Sequence, residues 1–123
     1  MRKPVTAGTE MHDREVCPVE NLFSVVAGAW TPYLIYTLAS HGTLRFGALQ
    51  RHMPRISTKV LTDRLRMLER AGLIDRAQAA TIPPQVSYSL TPRGRELHDA
   101  MQMLGQIAER WAAEGWSPDG MRA

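Results

Sequence analysis

Apolar residues recur every three or four positions in five stretches of the chain and every second position in one, with glycine or proline at nearly every join. Those periods predict five short helices and one hairpin, a mainly α fold with a small β hairpin. Cys17-Pro18 opens the first helix, where Val19, Leu22, Phe23 and Val26 form one stripe that stops at Gly28. The second helix has Thr31 as cap, Pro32 at its first position, an apolar set of Leu34, Ile35 and Leu38, and Gly42 as terminator. Trp30, between the two, is expected as a core anchor. Residues 43–45 allow only a small strand or link, and 46–53 make a brief helix on Phe46, Leu49 and Met53 before Pro54 turns the chain.

Residues 57–72 are punctuated at both ends. Ser57 can cap the free backbone N–H groups, Ile56 can pack on Leu61 as a hydrophobic staple, and Gly72 supplies a left-handed stop. At about 100° per residue, Leu61, Leu65 and Leu68 share one side. Lys59, Asp63, Arg66 and Arg70 gather on the other, with Thr62 at its edge. A short helix, a proline-bearing turn and a capped, basic-faced helix form the helix-turn-helix pattern, in which the second helix enters a DNA groove. Strands over 73–76 and 86–90 then make a wing, and Pro83-Pro84 should prevent regular pairing near its tip. Arg76 is the hairpin's only cation, so its share of DNA affinity should be small.

Thr91-Pro92 starts the last helix, along which Leu97, Met101, Leu104, Ala108 and Trp111 alternate at spacings of four and three. Ala100, Met103 and Ile107 widen that seam beyond what one small domain can cover, so a second copy of the chain is the expected partner. Leu22 and Phe23 of the first helix join the predicted dimerisation surface. Gly94 and Gly105 should weaken the helix locally. The expected organisation is a flexible N-terminal arm over 1–16, a winged-helix domain over 17–115 whose dimerisation helix occupies 91–115, and a frayed tail over 116–123.

Charge sharpens the picture. The net charge of +3 is modest, but residues 45–76 carry +5 and the rest of the chain −2, the footprint of a small nucleic-acid binder. Reading bases requires side chains on the exposed start and middle of the helix, which selects Thr58, Lys59, Thr62 and Arg66. Arg45, Arg55, Ser57 and Arg70 flank them and suit phosphates, with Arg76 and Gln85 contributing from the wing. Asp63 would repel phosphate and is better placed to orient Lys59 one turn earlier.

Cys17 is the single cysteine, so no internal disulfide is available, in keeping with a reducing, cytoplasmic compartment. No apolar run is long enough to span a bilayer. Its place at a helix start favours the thiolate of Cys17, although Pro18 removes one of the N–H groups that would hold it and lone cysteines are usually inert packing residues. His12, His41, His52 and His98 have no metal-ligand spacing, so no metal or cofactor is expected. An enzyme is not expected either: there is no phosphate-cradling glycine loop, no acid–base pair and no resolving cysteine. The competing reading is a protein-interaction module that keeps the winged helix as scaffold and works through its Met- and Trp-containing last helix.

The ordered pieces resemble the HxlR-type winged-helix transcriptional regulators. The resemblance rests on Cys17-Pro18-Val19, Gly28-Ala29-Trp30-Thr31, Arg45-Phe46-Gly47-Ala48-Leu49, Ile56-Ser57 with Lys59, Leu61-Thr62 and Leu65, Leu68-Glu69 with Gly72-Leu73, Pro83-Pro84, Val86 with Tyr88-Ser89-Leu90-Thr91, and Gly94. The chain departs from the pattern at Ala29, Ala48, Gln85 and Ser87, where charged residues are common. The resemblance implies a DNA-binding homodimer joined through its first and last helices, with two reading helices in successive major grooves and the wings outside them. It also implies for Cys17 the role of redox sensor, responsive to oxidants or electrophiles. A small-molecule effector in the space between wing, first helix and dimer seam is a further candidate partner.

Overall fold

The computed structural model describes residues 17–121; the expected N-terminal arm lies outside them, as does His12. The chain runs α1 (Pro18–Val26), α2 (Thr31–His41), β1 (Leu44–Arg45), α3 (Phe46–His52), α4 (Thr58–Arg70), β2 (Ile74–Ala79), β3 (Gln85–Leu90), α5 (Pro92–Ala113), β4 (Trp116–Ser117) and β5 (Gly120–Met121). Among the described residues this is five helices, a three-stranded antiparallel sheet ordered β1-β3-β2, and a separate two-residue hairpin of β4 and β5.

The core forms where each amphipathic stripe finds the others. Leu34, Ile35 and Leu38 of α2 are buried with Leu49 of α3, Leu61, Leu65 and Leu68 of α4, and Ile74 and Leu90 of the sheet. Sheet and helices therefore share one apolar interior, and the polar face of α4 is left outside. No single helix among the described residues is long and apolar enough to cross a membrane.

Three local expectations are corrected. Trp30, not Thr31, is the N-cap of α2; it adopts φ 72°, and Thr31 is fully buried inside the first turn. A left-handed tryptophan costs about 1–2 kcal/mol, which is outweighed by packing its ring against the core. The wing ladder is also longer than expected, pairing Ile74 with Leu90 and continuing outward to Ala79 with Gln85. Pro83 and Pro84 fall inside the turn, where they remove no ladder donor. Finally, residues 116–121 of the expected tail form the β4–β5 hairpin, in which Ser117 Oγ donates to Gly120 O at 2.7 Å and the Trp116 ring meets Trp111 edge-on at 5.5 Å.

Gly94 also plays a part that its helix-weakening character did not predict. It is buried, and a Cβ built there would lie 2.1 Å from the Leu73 carbonyl oxygen. The first turn of α5 therefore rests directly on the backbone that leaves α4. Thr91 completes the joint: its hydroxyl accepts from Gly94 N–H at 3.0 Å and donates to Gly72 O at 2.7 Å.

Candidate nucleic-acid interface

The α3–turn–α4 unit is fixed by short-range hydrogen bonds. Met53 N–H donates to Leu49 O at 3.0 Å, Ile56 N–H donates to Met53 O at 3.1 Å, and Ser57 Oγ accepts from Val60 N–H at 3.1 Å. At the other end, Gly72 N–H donates to Glu69 O at 3.0 Å and Leu73 N–H to Leu68 O at 2.9 Å. With Gly72 at φ 78°, this is the paired-bond stop of a Schellman motif. Start, stop and buried leucines leave α4 no rotational freedom, so its outer face is preset.

That face carries the expected residues. Thr58, Lys59, Arg66 and Arg70 are exposed, and Thr62 is half-buried at the edge. Lys59 Nζ donates to Asp63 Oδ2 at 3.1 Å, as expected from their spacing. Lys59 remains 84% exposed, so the pair is worth at most about 1 kcal/mol and yields readily to a phosphate or base edge. Arg45 and Arg55 are exposed to either side, at the N-cap of α3 and in the turn before Ser57.

Two side chains behave differently from their sequence reading. Arg64, which contributes to the positive charge of residues 45–76, turns back so that its Nε donates to Ala29 O at 2.9 Å. It braces α4 against the α1–α2 junction and is only half-exposed. Gln50 of α3 went unnoticed: its Nε2 donates to Thr58 Oγ1 at 3.0 Å across the turn. The partner sits eight residues away, and helical spacing alone carries no signal for it.

The wing starts beside the same face. Arg76 and Tyr88 of the sheet line an open cleft of about 330 Å³ with Thr62, Arg66 and Glu69 of α4. Two guanidinium-bearing residues and two hydroxyl-bearing ones are thus brought to one polar groove beside a single carboxylate, an excess of positive charge that suits a phosphate between helix and wing. Gln85 lies at the far end of β3, opposite Ala79, and is separated from this cluster.

The predicted dimer seam divides in two. Leu97 and Met101 pack partly on the chain's own core, whereas Leu104 and Trp111 are 56% and 45% exposed and Ala108 is also open. Leu22 and Phe23 of α1 are exposed as well, and an apolar cleft of about 340 Å³ runs between Phe23, Val26, Ala27, Pro32, Met101 and Leu104. Cys17 is the half-buried N-cap of α1, with a free thiol that makes no capping hydrogen bond. His41 and His52 stack with centroids 4.2 Å apart. No group of three or more His, Cys, Asp or Glu residues could hold a metal ion among the described residues.

Comparison with known proteins agrees with this geometry. Residues 25–115 match the family model for the HxlR-like helix-turn-helix. The chain is 37% identical over 99 residues to the HTH-type transcriptional regulator YdeP of Bacillus subtilis (strain 168), covering 80% of this chain and 77% of that one. Among solved structures, a MarR-family transcriptional regulator from Enterococcus faecalis V583 superposes with a TM-score of 0.73 at 33% identity, covering 91% of this chain and 96% of that one. The redox regulator HypR in its oxidised form superposes with a TM-score of 0.68 at 36% identity, covering 76% and 96%.

Proposed function

Because the chain belongs to the HxlR-like helix-turn-helix family of DNA-binding transcriptional regulators, we propose that it acts as a homodimer on a roughly palindromic operator. Each α4 enters a major groove, and the two half-sites lie about one helical turn apart. Thr58, Lys59, Thr62 and Arg66 read base edges, while Arg45, Arg55, Ser57, Arg70 and Arg76 hold phosphates and Gln85 sits on the wing. The observation that carries this reading is the outward cationic face of a helix locked at both ends over three buried leucines. The test is a gel shift on the DNA upstream of its own gene. With about four phosphates engaged per half-site, affinity should fall by orders of magnitude over a few-fold rise in salt. Arg66→Ala should change which sequences are preferred, and Arg55→Ala should weaken all sequences alike. Salt-insensitive binding, or two variants indistinguishable from wild type, would favour the protein-interaction reading instead.

Redox control is the finer part of the proposal. It is supported by Cys17 standing unbonded at the N-cap of α1 and by the similarity to a redox regulator. With one cysteine in the chain, an intramolecular disulfide is excluded, so reversible oxidation would proceed through a sulfenic acid, a mixed disulfide or a bridge to another molecule. A thiol oxidant should therefore release wild-type protein from DNA and leave Cys17→Ser bound; equal responses would remove Cys17 from the mechanism. The apolar cleft beside Phe23 and Met101 is the place at which a small effector would bear on the same surface.

A further inference from the structure

The wing tip is chemically unlike the rest of the DNA-facing surface. Residues 77–92 contain no charged side chain, in a chain where 22% of residues are charged. At the tip, Ile82 is 101% exposed, which no other large apolar residue of the described chain approaches. Thr81 Oγ1 donates to Pro83 O at 2.8 Å, holding the turn around it. An isoleucine carried at full exposure on a hydrogen-bonded, proline-flanked turn gains nothing from its own fold.

The arm that carries it leaves the body from the flank of the reading helix, because Arg76 at its root shares a cleft with Thr62 and Arg66. The ladder from Ile74 to Ala79 has five steps of about 3.3 Å, or roughly 17 Å. That is about half of the roughly 34 Å between equivalent positions of a groove, the offset from a major groove to the neighbouring minor groove. A tip without cations can hold the phosphates that border this groove only through neutral hydrogen bonds, with no charge attraction to add to them. Side chains such as Ile and Pro contact DNA there by wedging against or between base steps, which is least costly at pyrimidine–purine steps.

We propose that Ile82 is a specificity-determining contact: an apolar wedge in the minor groove outside each half-site, selecting easily deformed flanking steps. This rests on the DNA-binding reading above and adds a sequence preference that α4 does not supply. The test is selection of binding sites from a randomised duplex library by the full-length protein, its Ile82→Ala variant and its Ile82→Leu variant. Wild type and Ile82→Leu should enrich pyrimidine–purine steps about half a turn outside a common core. Ile82→Ala should enrich the same core with unselected flanks, and should bind the wild-type site about five- to thirtyfold more weakly at an unchanged salt slope. An alanine variant that keeps both affinity and flank preference overturns the proposal. A wild-type protein that selects a core with random flanks also overturns it while leaving the DNA-binding reading intact, and a wild-type protein that selects nothing overturns both.

Discussion

Gly94 and Gly105 lie in one helix, and both lower its intrinsic propensity by about 1 kcal/mol relative to alanine. Their surroundings give the same substitution opposite signs. A Cβ at position 94 would stand 2.1 Å from Leu73 O and 3.0 Å from the Leu90 side chain, so Gly94→Ala must push α5 off the end of α4 and break the joint through Thr91. Its expected cost is about 3 kcal/mol or more. A Cβ at position 105 meets nothing within 4 Å, so Gly105→Ala should gain about 0.5–1 kcal/mol. Urea unfolding of the two variants should move the midpoint in opposite directions from wild type, and equal shifts would mean that the α4–α5 joint is not as tight as the close approach implies.

At the scale of the element, α4 was the most legible part of the chain because its determinants are local. The Ser57 cap, the Gly72 stop, the leucine spacing and the Lys59–Asp63 pair each join residues no more than five apart in the chain, and each lies where the sequence placed it. What was hidden depends on distant partners: Arg64 donates to Ala29, Gln50 to Thr58, and Gly94 is pressed against Leu73. The wing shows the same division. Its strands were legible from alternation, whereas the extent of its ladder depended on whether Pro83 and Pro84 sat in the strand or in the turn. The locality of the Lys59–Asp63 pair also fixes a prediction. Lys59 is largely exposed and Asp63 about half exposed, so Asp63→Asn should change stability by no more than about 0.5 kcal/mol. In the field of DNA the same change removes a repulsive carboxylate and frees an ammonium group, so affinity for random duplex should rise several-fold at low salt and selectivity should fall. Fluorescence anisotropy with specific and random duplexes measures both; a loss of affinity for both would show that Asp63 is needed to aim Lys59.

For the whole molecule, the proposed function couples the reading helices to a surface that would pair two copies of the chain. Val19, Leu22 and Phe23 of α1 and Met103, Leu104 and Trp111 of α5 are all between 39% and 67% exposed, so both helices expected to join the dimer carry large apolar side chains open to solvent. The heptad-like spacing was legible, but which of its members serve the chain's own core was not: Leu97 and Met101 turn inward only because α2 and the sheet lie beneath them. That division selects Leu104 as the residue to change. It is more than half exposed within one chain, so Leu104→Glu should leave the fold and its thermal unfolding nearly unaltered. In the proposed homodimer, where Leu104 would face its symmetry mate, each introduced carboxylate would lose water and meet apolar or like-charged neighbours, so such a dimer should dissociate. Two half-sites are then no longer bound as one, and the effective concentration gained by pairing, on the order of millimolar, disappears. Sedimentation equilibrium should report a monomer, affinity for a palindrome should fall by about two orders of magnitude or more, and affinity for an isolated half-site should be unchanged. A variant that still sediments as a dimer and binds the palindrome as wild type does would place the pairing surface elsewhere on the molecule, while a variant that loses the half-site too would show that α5 shapes the reading helix itself.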